Sequence, residues 1–280
     1  MRDRDRQVLQ ALKAASKEHK ELVDLLSFYH DLYEVQFQAK AHLPEPNMHD
    51  EKAMRWRLEQ GMAQLSFDQL GVEPGPFARL VSQVAGVLRR HNPSWEIVPG
   101  NWEEEELVDR AKEILETWDT STSPRGPGSA KKEAAEELGG SYPRDLAVSF
   151  GLTSYLQKAS ERLVPCLALD RWVQGYCPVC GGWPNFAMLE SERGARQLLC
   201  SRCNSQWQYS RVGCPFCKSK EKQTYYASDD GLYRLYVCPD CRRYLKTIDL
   251  REIQRQVHPE VERLLTVDMD LAAQAEGFRG

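Results

Sequence analysis

The chain has 280 residues, a net charge of −4, and hydrophobic and charged fractions of 41% and 28%. Those fractions describe a folded globular protein rather than a disordered one. The acidic balance argues against a generally nucleic-acid-binding or polybasic membrane-associated chain. No apolar run approaches the roughly 18 residues that span a bilayer, and the charged start MRDRDRQVLQ leads into no apolar segment, so we expect no secretory signal and a cytoplasmic protein.

Residues 1–165 contain no cysteine and are rich in helix formers. Val8, Leu12, Ala15, Leu22, Leu25, Leu26, Tyr29, Leu32, Tyr33 and Phe37 recur every three to four positions, which predicts one long or interrupted helix over residues 4–40, ended by Pro44 and Pro46. A second helix is expected over 50–65, with Met54, Leu58 and Met62 on one face. A third is expected from Pro74 or Pro76 to Arg90, with Phe77, Leu80, Val81, Val84 and Leu88 inward. Residues 92–101 read as a loop, and Asn101 as the N-cap of a helix whose first turn is rich in glutamate and whose apolar side carries Leu107, Ile114, Leu115 and Trp118. TSTSPRGPGS is a break within the helical part. Helix resumes near Ala130, stops at Gly139-Gly140, and restarts after Pro143 with Leu146, Phe150, Leu152, Tyr155, Leu156 and Leu163.

From about Leu169 the pattern changes to short β-like runs between turn residues. They are NFAMLE, RQLLC, SQWQYSRV, QTYYAS, LYRLYVC and YLKTID. HPEVERLLTVDMDLAAQ then predicts one or two C-terminal helices. The expected fold class is α+β. A helical domain (1–168) precedes two tandem rubredoxin-like or zinc-ribbon units of short antiparallel strands (169–211 and 212–250), and a helical tail (251–280) follows.

Eight of the nine cysteines form Cys-x-x-Cys pairs: Cys177/Cys180, Cys200/Cys203, Cys214/Cys217 and Cys238/Cys241. In a reducing compartment such pairs read as metal ligands rather than disulfides. Cys177 and Cys214 lie 37 positions apart, and Cys200 and Cys238 lie 38 apart. The stretch is therefore a duplication, which favours sequential grouping of the first four and the last four cysteines over an interleaved arrangement. No histidine falls between residues 92 and 257, so both sites are expected to be all-sulfur. Two such sites suit structural zinc or single iron ions; spacing does not choose between the metals. Four thiolates leave no open position for metal-assisted hydrolysis, and Cys-x-x-Cys between short strands lacks the βαβ setting of a thiol–disulfide oxidoreductase. A unit of about 35 residues also needs the metal's binding free energy to fold. Cys166, among Val164, Leu167 and Leu169, reads as a buried apolar thiol. His30, Asp31 and Glu34 share a helical face, and such a trio is usually structural.

At CPVCGGWPN, CSRCNSQWQYSRVGCPFC and VCPDCRRYLKTID, and in the preceding VPCLALDRWVQGY, the chain resembles the formate dehydrogenase accessory proteins of the FdhE type. The resemblance is most specific over residues 171–249. It implies a cytoplasmic maturation factor that is not an enzyme, with the eight paired cysteines as ligands of two metal ions and iron as the metal associated with the family. The implied client is the catalytic subunit of a respiratory formate dehydrogenase, bound before twin-arginine export; no nucleic acid and no membrane are expected, and a homodimer is one assembly left open. Trp183, Trp207, Tyr209, Arg211, Arg242, Arg243 and Tyr244 are candidate client contacts if exposed, because Trp, Tyr and Arg dominate binding hot spots. The competing expectation is that the aromatics pack the metal units. The alternative function is a zinc-ribbon nucleic-acid-binding protein, suggested by Arg193, Arg196, Arg202, Arg211, Lys218, Lys220, Lys222, Arg242 and Arg243 among aromatics.

Overall fold

The computed structural model describes residues 1–93, 102–116, 142–220, 224–253 and 255–280. The fold is α+β. The expectations for Asn101, Trp118, the TSTSPRGPGS break and the helix restarting near Ala130 lie outside the described residues.

The chain forms two compact units. One contains Met1–Asn47, the chain onward from Ser66, and the last long helix up to Ala159; the other contains Met48–Leu65 and Ser160–Gly280. In the first unit, α1 (Asp3–Glu18) and α2 (Val23–Lys40) pack as a hairpin across a 3-10 turn at Lys20–Leu22. The periodicity over 4–40 thus becomes two helices. α4 (Pro74–His91) packs against α2, and α5 (Glu104–Glu116) against α4. Val8, Leu12, Leu26, Leu32, Phe77, Val81, Val84, Leu152 and Leu156 are buried, the last two on α6 (Tyr142–Leu163). Fixing α1 to the end of α2 is a buried ion pair, Lys40 Nζ to Asp5 Oδ1 at 2.6 Å. A pair this dry is costly to break from one side, because the surviving charge stays buried.

In the second unit, α3 is shorter than the expected helix and spans Glu51–Glu59. Asp50 caps it by accepting from the Ala53 N–H at 2.7 Å. It stops because Gly61 adopts a left-handed conformation, φ 68°. Met62, expected inward, is consequently exposed. The chain after α3 turns onto the first cysteine pair: the Gln64 and Leu65 N–H groups donate to the Pro178 and Val179 carbonyls, each at 2.9 Å.

The six β-like runs become β1 (Pro184–Leu189), β2 (Arg196–Cys200), β3 (Gln206–Tyr209), β4 (Thr224–Ala227), β5 (Tyr233–Val237) and β6 (Tyr244–Asp249). They form a single sheet in the order β3-β2-β1-β6-β5-β4. Every pairing is antiparallel except β1 with β6, which is parallel over Phe186↔Lys246 to Leu189↔Asp249. The second three-stranded meander therefore continues the first by translation, so the two repeats share one sheet. Phe186, Met188, Leu199 and Ile248 form a core across the junction. The C-terminal helices α7 (Pro259–Leu265) and α8 (Val267–Ala275) fold onto the sheet, where Ala273 packs with Leu235, Val237 and Tyr244. Lys246, on β6, is buried and donates to Asp270 at 2.6 Å and to the Arg263 and Thr266 carbonyls at 2.7 and 3.1 Å.

Gly175, in the first repeat, lies tight against the backbone of the second. A Cβ there would lie 1.8 Å from the Pro215 carbonyl oxygen, and backbone has little room to give. Gly175→Ala should destabilise the second unit by about 1–3 kcal/mol, the usual cost of overpacking. A thermal melt of the metal-loaded variant within error of wild type would contradict this.

Candidate metal centres

All four cysteine pairs sit on the same local turn, and one backbone rule builds each. The first cysteine's N–H donates to the carbonyl five residues on: Cys177 to Gly182, Cys200 to Ser205, Cys214 to Ser219 and Cys238 to Arg243, at 2.8–2.9 Å. The residue just after the second cysteine is left-handed in every case: Gly181 (φ 73°), Asn204 (57°), Lys218 (60°) and Arg242 (56°). Glycine and asparagine tolerate this region, whereas Lys218 and Arg242 hold it under strain. The turns also aim backbone N–H groups at sulfur, as Val179 N to Cys177 Sγ and Arg202 N to Cys200 Sγ show, both at 3.4 Å.

The structure gathers the eight sulfurs sequentially into two groups, Cys177/Cys180/Cys200/Cys203 and Cys214/Cys217/Cys238/Cys241, with each group's ligand atoms all within 4.8 Å of one another. In the first, Cys177–Cys203, Cys180–Cys200 and Cys180–Cys203 are each 3.5 Å apart. In the second, Cys214–Cys241 is 3.6 Å and Cys217–Cys238 is 3.7 Å. A disulfide would need about 2.05 Å. A tetrahedral ion with sulfur at about 2.3 Å needs sulfurs about 3.8 Å apart. Both groups therefore fit a four-thiolate ion, and the residues that would hold it are these eight.

Electrostatics makes the same demand. Burial pushes the Cys177 and Cys203 thiols well up, while neighbouring thiols donating to Cys180 hold its sulfur well below the ordinary range. In the second group burial raises Cys214, and raises Cys241 to about 11. Burial also acts upward on Cys238, but the N–H groups of Cys241 and Asp240 together with the Cys217 and Cys241 thiols more than offset it, and its pKa is lowered. Without an ion, each group can hold few of its four charges. A divalent ion with four thiolates still carries a net −2, and buried arginines lie close to offset it. Arg202 favours the Cys180 thiolate, while Arg196 and Arg243 feel the charge of Cys214.

The two centres differ in access. All four sulfur residues of the first are buried; in the second Cys217 is exposed and Cys241 half-buried.

Of the seven candidate client contacts, Trp183, Trp207, Arg243 and Tyr244 are buried, so they present no docking surface. Trp183 packs against Tyr176 and Phe216, and the Arg243 guanidinium sits 4.1 Å from the Phe216 ring centre. Trp207 donates to the Gln174 carbonyl at 3.1 Å, and Tyr244 to Asp270 at 2.8 Å. Tyr209 is half-buried; Arg211 and Arg242 are exposed, the latter over the Phe278 ring at 4.2 Å. Cys166 is exposed rather than buried, because α6 ends at Leu163 and the following 3-10 turn Val164–Cys166 faces outward. Asp31 of the His30/Asp31/Glu34 trio is occupied by Arg90 at 2.8 Å and His91 at 3.0 Å, so that cluster reads as an ion-pair network. Sequence reasoning missed three contributors: the 48–65 segment on the first turn, buried Arg196, which donates to the Gly213 carbonyl at 2.7 Å, and Gly175.

Fold and site define an α+β protein that carries two preorganised four-thiolate centres on one sheet. Residues 176–211 match the family described as "FdhE, central domain". The "Protein FdhE homolog" of Aquifex aeolicus (strain VF5) is 36% identical over 142 residues, covering 48% of this chain and 50% of that one. "Protein FdhE" of Escherichia coli O127:H6 is 32% identical over 107 residues, covering 37% of this chain and 34% of that one. The chain thus aligns with half or less of these curated relatives' lengths. The crystal structure of the FdhE protein from Pseudomonas aeruginosa shares the fold, with a TM-score of 0.63, 21% identity, and coverage of 96% of this chain and 90% of that one. The chain is thus similar to FdhE proteins over its cysteine region and shares the fold of one of them.

Chelator challenge of the loaded protein should release metal in two phases, the second centre first, and Cys217→Ser should remove the fast phase alone; a single phase in wild type would contradict the asymmetry. Because burial keeps Cys241 protonated to about 11, metal uptake at neutral pH should release protons, and affinity should fall as pH falls. A pH indicator in weakly buffered solution reads the first, and metal retention across an acid titration reads the second.

Proposed function

We propose that this chain is a cytoplasmic accessory and maturation protein that binds the catalytic subunit of a respiratory formate dehydrogenase and assists its assembly before export. The observation that carries the reading is the coincidence of the FdhE central-domain match, residues 176–211, with one complete four-sulfur centre. The eight cysteines act as ligands to two ions, iron or zinc. A closed four-thiolate shell leaves no position for substrate, which supports a binding protein over a metal-dependent hydrolase. Among the described residues no helix is long and apolar enough to cross a membrane.

The nucleic-acid reading draws on nine basic residues, of which Arg196, Arg202 and Arg243 are buried, Arg193, Arg211, Lys218, Lys220 and Arg242 are exposed, and Lys222 lies outside the described residues. The FdhE central-domain match favours the accessory role instead.

Tagged, metal-loaded chain should capture the catalytic subunit from an anaerobic extract. Cys177→Ser/Cys180→Ser should abolish capture through loss of the first centre, whose binding free energy holds its turns together. Undiminished capture by that variant would separate function from the metal, and failure of the wild type to capture the subunit would refute the client assignment. Metal analysis with absorption spectra decides the ion, since oxidised iron bound by four thiolates is coloured and zinc is not.

A further inference from the structure

We propose that the outer edge of β4 is a docking strand for the client: it receives an extended segment of the client polypeptide, paired parallel to Thr224–Ala227. The inference rests on the client-binding reading above and adds where the client binds. The internal repeat carries it. In the first repeat β1 pairs with β2 through Ala187↔Leu198, two residues before Cys200; in the second, β4 pairs with β5 through Tyr225↔Tyr236, two residues before Cys238. β4 is therefore the counterpart of β1. Matching turn bonds fix the phase: Glu190 N donates to Ala195 O at 2.9 Å, and Ser228 N to Tyr233 O at 3.0 Å. Alternation along an antiparallel ladder then points the backbone N–H and C=O groups of Ala187 and Leu189 outward in β1, and those of Tyr225 and Ala227 outward in β4.

In β1 that outward edge is covered by β6, in parallel, over four residues. Among the described residues no strand covers the same edge of β4. All four β4 residues are exposed, whereas five of the six in β1 are buried. Tyr225 and Tyr226 are 47% and 59% exposed, an unusual aromatic content for an edge that must avoid chance pairing. Tyr225 is nevertheless braced, its ring 5.3 Å from that of Tyr236 and 5.0 Å from the Arg234 guanidinium. The edge is thus preorganised, as strand-addition sites are: backbone bonds supply affinity, and flanking side chains select apolar residues at alternate positions. A second copy of this chain is the less suitable occupant. The strand that would continue the translation is β3, and the 3-10 turn Leu169–Arg171 already packs against it.

Ala227→Pro tests this, because the Ala227 N–H points away from β5 and a proline there spares the β4–β5 ladder. Capture of the catalytic subunit should fall about tenfold, the loss of one or two backbone hydrogen bonds, with metal content and melting unchanged. In the captured complex, hydrogen exchange at the Tyr225 and Ala227 amides should slow. Equal capture by wild type and variant overturns the edge proposal and leaves the client reading standing; no capture by wild type overturns both. Should Ala227→Pro lose metal, Tyr225→Ser/Tyr226→Ser decides instead, and undiminished capture by that variant overturns the proposal. Concentration-dependent self-association of the chain alone, removed by Ala227→Pro, would identify a second copy as the occupant and likewise overturn it.

Discussion

Four sulfurs at 3.5–3.7 Å are the constraint from which the second unit is built. At that separation four thiolates repel one another, and four buried thiols satisfy few hydrogen bonds. Only a cation at the centre resolves both, so the turns that aim the sulfurs inward are stable chiefly when loaded. Lys218 and Arg242 in the left-handed region, and arginines buried beside the thiols, are what such a unit tolerates when an ion over-determines the local geometry. The sheet alone, six strands of four to six residues, is small for holding these features in place.

The metal centres were the most legible part of the sequence, and for a local reason. Cys-x-x-Cys followed by Gly or Asn spells out its own turn, and two such turns at duplicated spacing leave sequential grouping as the simplest closure. The strands were equally local: six short runs between turn residues became six strands. What could not be read was long-range. Nothing in the periodicity of Met54 and Leu58 says that the chain after α3 will donate backbone bonds to Pro178 and Val179. Nor does the repeat announce that β1 and β6 pair in parallel, because strand order depends on which edges meet and not on the strands' own composition. Arg202 and Arg243 show a further limit. Charge is assigned from sequence to the surface by default; in the fold the cysteine sulfurs beside both, and the rings of Phe216 and Trp183 beside Arg243, accompany their burial. The same default made Trp183, Trp207 and Tyr244 look available for partners when they are packing.

The duplication itself has a consequence for symmetry. Two copies related by a two-fold axis would have used the same edges against each other and closed. Here the copies are related by translation, so the junction uses unlike edges, and among the described residues no strand covers the edge of either kind left at the ends of the sheet. The fold treats those ends differently. At the β3 end, residues 169–171 pack against the strand. At the β4 end the aromatic side chains stay in solvent.

The two metal centres follow the same gradient. The first lies where the 48–65 segment adds backbone bonds to its turn, and all four of its cysteines are buried. The second belongs to the repeat that carries the open strand, and it leaves Cys217 exposed. In one repeat a 3-10 turn packs against the end strand and all four cysteines are buried; in the other, among the described residues, the end strand and one cysteine are exposed. Duplication gave the two halves the same turns and the same strands; what was added around the first half and withheld from the second is the difference on which the proposed docking strand rests.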